Sequence, residues 1–317
     1  MGEKLLITGA NGQLGLVLTE ALQRKYGANN VIATDIKPSS TGTSGFKFLD
    51  ALDFDSVIHT IKAHNITQIY HMAAILSAKG ENQPLRTWEI NNNTLLNILE
   101  AARLNNISKV FYPSSIAVYG DNAPKNATPQ DCFLKPTTVY GMSKAAGEHW
   151  ANYYFVKYGL DVRSLRYPGV IGHQTAPGGG TTDYAVEAYH YAIKNETYTC
   201  FLNESTYLPM IYMDDAIRAT IMLMDAPAKQ VKTRTSYNIA SMSFSPSELQ
   251  QAIAKIIPNF KMLYSPDFRQ DIANSWPKSI NDTEARNDWG WSPKYDLTAM
   301  TNNMVKHLKT YYKTVKA

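Results

Sequence analysis

The sequence predicts an α/β fold, a doubly wound parallel sheet followed by a smaller C-terminal lobe. Three observations predict it. Short apolar runs alternate with amphipathic helical stretches through the first half of the chain. A glycine-rich turn joins the first run to the first helical stretch. Beyond Gly172 the regular alternation stops, as expected of a second unit with its own layout.

Residues 5–8, 31–35, 69–73, 110–114 and 162–167 read as short buried strands. Between them, 14–26, 54–63, 88–104 and 139–157 carry helical periodicity. Strands separated by helices define βαβ units, hence a parallel sheet with right-handed crossovers. In the second half, 183–194 is predicted helical with Thr181 or Thr182 as its cap. A short strand at 210–213 precedes a helix at 216–224, capped by Asp214 or Asp215. Ser245-Pro246 opens a further helix, with proline in its first turn. Pro258, Pro266, Pro277 and Pro293 mark 258–293 as loop-rich. The expected organisation is a first domain over 1–171, to which 208–243 returns. Residues 172–207 and 244–317 form the second lobe.

Bulk properties exclude several classes. Net charge is +4, from 31 basic and 27 acidic residues, with no basic run. Nucleic acid is not expected as a partner, because phosphate binding needs clustered cations. Two cysteines, Cys132 and Cys200, make no disulfide framework and no zinc set. They fit a reducing, cytoplasmic location. Residues 1–3 run straight into the first strand, so no leader is expected. No apolar run approaches the roughly 20 residues that span a bilayer.

The first strand enters Gly9-Ala10-Asn11-Gly12-Gln13-Leu14-Gly15, a G-x-x-G-x-x-G turn opening a helix. Gly9 permits the tight turn, Gly12 lets backbone approach a pyrophosphate, and Gly15 lets the helix pack close to the sheet. The helix N-terminus adds free N–H groups and a positive dipole end. This is the phosphate-binding corner of a Rossmann-type fold. Asp35 ends the second strand, where a carboxylate accepts from both ribose hydroxyls and repels a 2′-phosphate. NAD is therefore expected rather than NADP, although Lys37 lies nearby.

Tyr140 and Lys144 stand at i and i+4, on one helix face. An ammonium beside a phenol lowers the phenol's pKa toward neutral and suits it as general base for an alcohol. Tyr153/Lys157 and Tyr312/Lys316 share the spacing and read as solvated helix faces. Context singles out the first pair. The strand at 110–114 runs into Ser114-Ser115 at the sheet end where cofactors bind. Ser115 is expected to hold a substrate hydroxyl in line with the Tyr140 oxygen.

These motifs, with Arg166-Tyr167-Pro168-Gly169, resemble the extended short-chain dehydrogenase/reductase superfamily, which includes the sugar-nucleotide epimerases. The resemblance implies that Lys144 also binds the nicotinamide ribose and that Pro168-Gly169-Val170 lie near the carboxamide. Asn91 matches the family's structural asparagine. The cofactor set expected on this scaffold is Gly9, Asn11, Gly12, Gln13, Leu14 and Asp35. It continues with Asp50, Ala51, Met72, Ala73, Ala74, Asn91, Tyr140, Lys144, Tyr167 and Pro168.

Longer segments narrow the likeness. Pro177-Gly178-Gly179-Gly180-Thr181-Thr182-Asp183 resembles the substrate loop of short-chain L-threonine 3-dehydrogenases. Leu208–Met213, Phe244–Leu249 and Ile272–Pro277 resemble them too. Ser77, Ser115, Tyr140, Gly180, Thr181, Thr182 and Trp276 are the expected substrate contacts. Hydroxyls and glycine N–H groups suit a small zwitterion's carboxylate. The implied reaction is oxidation of the L-threonine 3-hydroxyl to 2-amino-3-oxobutyrate with NAD. Zinc-dependent chemistry is not expected, for want of ligand cysteines. Two alternatives stand beside it: an NAD-dependent sugar-nucleotide epimerase or dehydratase, and a non-catalytic NAD-binding protein. The resemblance further implies a homodimer through helices near 88–104 and 139–157.

Overall fold

Leu5 and Ile7 bury on one face of the first strand and Leu6 on the other. A strand apolar on both faces belongs inside a sheet covered on both sides. The computed structural model describes residues 2–38 and 45–315. Lys316, one half of the Tyr312/Lys316 pair, lies outside them.

The main sheet is assembled from β1 (Leu5–Thr8), β2 (Val31–Asp35), β3 (Phe46–Phe48), β4 (Gln68–His71), β5 (Lys109–Ser115) and β6 (Val162–Tyr167). A strand from far along the chain, β10 (Tyr237–Asn238), closes its edge. The order is β10-β6-β5-β4-β1-β2-β3, all parallel. Helices α1 (Gln13–Tyr26) and α7 (Met213–Asp225) cover the Leu5 face. On the Leu6 face lie α2 (Phe54–His64), α4 (Pro84–Leu104) and α5 (Val139–Tyr158). Each fully buried Leu or Ile there contributes about 1.5–3 kcal/mol. A short α3 (Ser77–Gly80) sits between β4 and α4.

Local chemistry sets the helix ends. The Asp53 side chain caps α2, and Asn65 ends it in the left-handed region at φ 50°. Thr138 caps α5, accepting from Gly141 N at 3.0 Å. Pro84 starts α4 one turn before Trp88, since its fixed φ is already helical.

A further buried cluster joins Ile116–Tyr119 and Ala145 to residues from Ile171 to Leu308. β7 (Gly169–Ile171), β9 (Leu208–Tyr212) and β11 (Met242–Phe244) form a mixed sheet, and β8 (Tyr198–Cys200) pairs with β12 (Met262–Tyr264). Around them pack α6 (Tyr184–Lys194), α8 (Pro246–Ala254) and α11 (Leu297–Val315). Ser245 and Glu248 close α8 with a reciprocal capping box.

Several expectations are corrected. β4 stops at His71, so Met72 and Ala73 leave the strand. Residue 183, not Thr181 or Thr182, is the N-cap of α6, and no side chain caps it. Helix α7 begins at Met213, which puts Asp214 and Asp215 inside its first turn. Asp215 instead accepts from the backbone of Lys294 and Tyr295. The loop-rich span 258–293 also contains α9 (Arg269–Ser275) and α10 (Thr283–Trp289) beside β12.

Candidate active site

The glycine turn is built by close approach. Gly9 has φ +71°, and a Cβ there would lie 2.6 Å from Ala73 N. A Cβ at Gly15 would lie 2.1 Å from the Gly9 carbonyl oxygen. Gly12 is the N-cap of α1 and no side chain caps that helix. Its first-turn N–H groups therefore stay available to an anion, and the turn fits a dinucleotide pyrophosphate. Asp35 accepts from Asn11 N at 3.1 Å, which ties the β2 carboxylate to the glycine turn. Its remaining lone pairs suit ribose hydroxyls.

A cavity of about 210 Å³ opens beside this turn. Gly12, Gln13 and Leu14 form its α1 side; Met72 and Ala74 come from the segment after β4. Ser115, Tyr140 and Lys144 line it, as do Tyr167 and Pro168. Ser77, Gly180, Thr181, Thr182 and Trp276 line the same cavity. Other expected cofactor residues lie outside it. Asp50 and Ala51 form the turn before α2, where Asp50 accepts from Leu52 N and the Ala51 carbonyl from Asn97. Asn91 is buried on α4, bonded to both backbone groups of Ile75 and to Ser143. It braces the segment after β4 against α5 and does not line the cavity.

Ser115 ends β5 and caps a 3-10 turn, its Oγ accepting from Ala117 N at 3.2 Å. Tyr140 lies in the first turn of α5. Gly141 brings the two together, because a Cβ there would lie 2.1 Å from the Ala117 carbonyl oxygen. Ser115 lies close enough to the Tyr140 phenol to favour its ionised form.

The expected acidification of Tyr140 is corrected. Burial pushes its phenol up to about 12, and Ser115 only partly opposes this. Burial also brings the Lys144 ammonium down to about 7. The Lys144 nitrogen lies 4.6 Å from the Tyr112 ring centre and 5.5 Å from that of Tyr140. Desolvation outweighs mutual attraction at this distance, so both groups favour their neutral forms. The sign for stability follows. Between pH 7 and 10.5, Lys144 is neutral when folded but protonated when unfolded, so stability rises with pH across that window. Lys144→Met is expected to flatten that rise in a series of thermal midpoints; an unchanged slope would contradict it.

Behind the cavity, Glu148 on α5 takes a bidentate pair from Arg166 on β6, at 2.9 and 2.8 Å. Ser114 donates to the same carboxylate at 2.5 Å. Arg166 also donates to Tyr119 Oη, the Gln130 carbonyl and Asn238 Oδ1. His71, buried beside Lys144, bonds Thr8 at 2.8 Å and Thr94 at 3.3 Å. Burial, with a smaller push from Lys144, brings its pKa down to about 3 and keeps the ring neutral.

On the loop side, Asp183 accepts from Gly179 N at 2.7 Å and Gly180 N at 2.8 Å. This buried carboxylate fixes the loop, a role not expected from the sequence. Its signal is an aspartate just after the glycines, where side-chain-to-backbone bonds form turns. Ser77 Oγ lies 3.4 Å from Thr181 Oγ1, and the Trp276 indole N–H is buried without a partner. Leu76 and Ile116 add apolar lining with no motif to announce them, beside the expected Val170.

A parallel sheet carrying this glycine turn, with a serine, tyrosine and lysine at one cavity, defines an NAD-dependent oxidoreductase of the short-chain type. The chain belongs to the NAD dependent epimerase/dehydratase family, whose model matches residues 5–240, and its cofactor is NAD. A Staphylococcus aureus relative described as an uncharacterized epimerase/dehydratase is 45% identical over 312 residues, 97% of each chain. The GalE-like L-threonine dehydrogenase of Cupriavidus necator, holo form, is 50% identical with a TM-score of 0.95, covering 96% of this chain and 100% of that one. A monomeric L-threonine 3-dehydrogenase from a metagenome database is 48% identical with a TM-score of 0.94, covering 97% and 99%. Among the described residues no helix is long and apolar enough to cross a membrane.

Proposed function

We propose that the protein oxidises the L-threonine 3-hydroxyl to 2-amino-3-oxobutyrate. One observation carries this reading: Ser115, Tyr140 and Lys144 line one cavity together with Ser77, Gly180, Thr181 and Thr182. The similarity to L-threonine dehydrogenases over nearly the whole chain supports it.

When bound, NAD supplies the hydride acceptor. The α1 N-terminus would hold its pyrophosphate and Asp35 a ribose. The chain's own residues do the rest. Ser115 orients the substrate hydroxyl, Tyr140 takes its proton, and Lys144, in its protonated form, stabilises the resulting phenolate. Thr181, Thr182 and Ser77 hydroxyls, with the free Trp276 N–H, receive the carboxylate. The low polarity that raises the Tyr140 pKa also strengthens each of these contacts.

Purified protein should reduce NAD with L-threonine, with NADP a poor substitute and UDP-glucose inert. Reduced-nicotinamide absorbance reads the first two, and chromatography of the sugar nucleotide reads the third. Turnover on UDP-glucose without L-threonine oxidation would refute the assignment. We further propose a cytoplasmic homodimer through α4 and α5, whose outer faces expose Trp88, Leu104, Trp150 and Val156. The free thiols Cys132 and Cys200 suit that compartment.

A further inference from the structure

The proposed reaction leaves a larger cavity unused. It has a volume of about 500 Å³ and opens where residues 173–177 meet α6 and α11. This size lies within the usual range for small-molecule sites. Helix α6 presents Glu187, His190, Tyr191 and Lys194 to it, spaced along one helix face.

Three buried polar atoms on its lining have no hydrogen-bond partner: Gln174 Oε1, Thr175 Oγ1 and His190 Nε2. Orphans of this kind are uncommon, since each costs about 1–3 kcal/mol. Three on one cavity give it polar groups that a ligand can satisfy in place of water. Their chemistry specifies it. His190 Nδ1 lies 2.9 Å from Tyr312 Oη. Burial and then Lys194 lower the His190 pKa, so the ring is neutral. In the tautomer where the Tyr312 phenol donates to Nδ1, Nε2 carries the hydrogen and donates into the cavity. Lys194 stands 5.6 Å from the Tyr312 ring centre, with no carboxylate in ion-pair range among the described residues.

The lining thus offers an ammonium, an imidazole N–H and a hydroxyl as donors, beside phenyl rings. One unpaired ammonium matches a monoanion. Glu187, held by Tyr198 at 2.6 Å, opposes a dianion such as phosphate. Gln174 Oε1 asks for a donor on the ligand. We propose that this cavity binds a small monocarboxylate carrying a hydrogen-bond donor on an aromatic or aliphatic body. Lys194, His190 and Thr175 receive the carboxylate, and Gln174 receives the donor. The site stands independently of the L-threonine reading.

The test is calorimetric titration of the full-length, NAD-saturated protein with 4-hydroxyphenylacetate, 4-ethylphenol and inorganic phosphate. The expected result is one saturable site for 4-hydroxyphenylacetate that L-threonine does not displace. Both other probes should bind at least about tenfold more weakly, the cost of a lost charge-assisted contact. Lys194→Met should weaken the first probe by the same factor and Lys194→Arg should largely retain it. Thr175→Val, at a neutral position, gives a second reading and should weaken it severalfold. Undiminished binding in Lys194→Met or Thr175→Val, tighter binding of phosphate, or displacement by L-threonine would overturn the proposal. So would the absence of saturable binding.

Discussion

Tyr140→Phe is expected to lower kcat with L-threonine by about 10³-fold, the scale of a lost general base. NAD affinity should stay within about twofold, because the ring and its packing remain. Ser115 keeps its own bond to Ala117 in the variant, so the cavity should hold its shape. The pH profile adds a second readout. Burial holds the free enzyme's phenol up at about 12, so the active, ionised base becomes commoner as pH rises. Wild-type kcat/KM should climb through the alkaline range, and Tyr140→Phe should lose that climb. Near-normal turnover in the variant would remove Tyr140 from the reaction.

Glu148→Ala is expected to be the most destabilising single change near the site. It leaves Arg166 buried and short of its carboxylate, a loss of about 3–5 kcal/mol. The thermal midpoint should fall by roughly 5–15 °C. The pair also registers the reactive groups. Ser114, bonded to Glu148, adjoins Ser115; Lys144 lies one turn before Glu148 on α5; Tyr167 follows Arg166. A small shift of these elements should cost kcat more than KM, by about tenfold or more. A double variant, Glu148→Leu with Arg166→Met, should regain part of the stability but little of the kcat. Full recovery of both would show that the pair only fills space.

The sheet was legible because its strands are buried on both faces and punctuated by helices. Residues 5–8, 31–35 and 162–167 are the strands at those bounds. The short strands β3, β7, β8 and β12 were not foreseen, because few residues carry periodicity and the pairing is long-range. Helix α11 is a different case. Its stripe of Met300, Met304 and Leu308 stands at helical spacing in the sequence, yet only its end, at Tyr312, is read as helical there. Within the site, glycine spacing and Tyr140-x-x-x-Lys144 announced which residues meet. They could not announce the direction of the proton affinities. That depends on how much water the folded chain removes from both groups, which is a property of packing and not of spacing.

One edge of the main sheet bears on how this chain is made. As the polypeptide leaves the ribosome, β6 emerges while its outer neighbour β10 is still some way from being synthesised. Residues 168–236 must follow before Asn238 can reach Arg166. Until then β6 offers a bare row of backbone groups to any other nascent strand, the usual template for aggregation. Translation that pauses in this interval would expose the edge for longer. A polypeptide truncated near residue 171 would keep it exposed permanently.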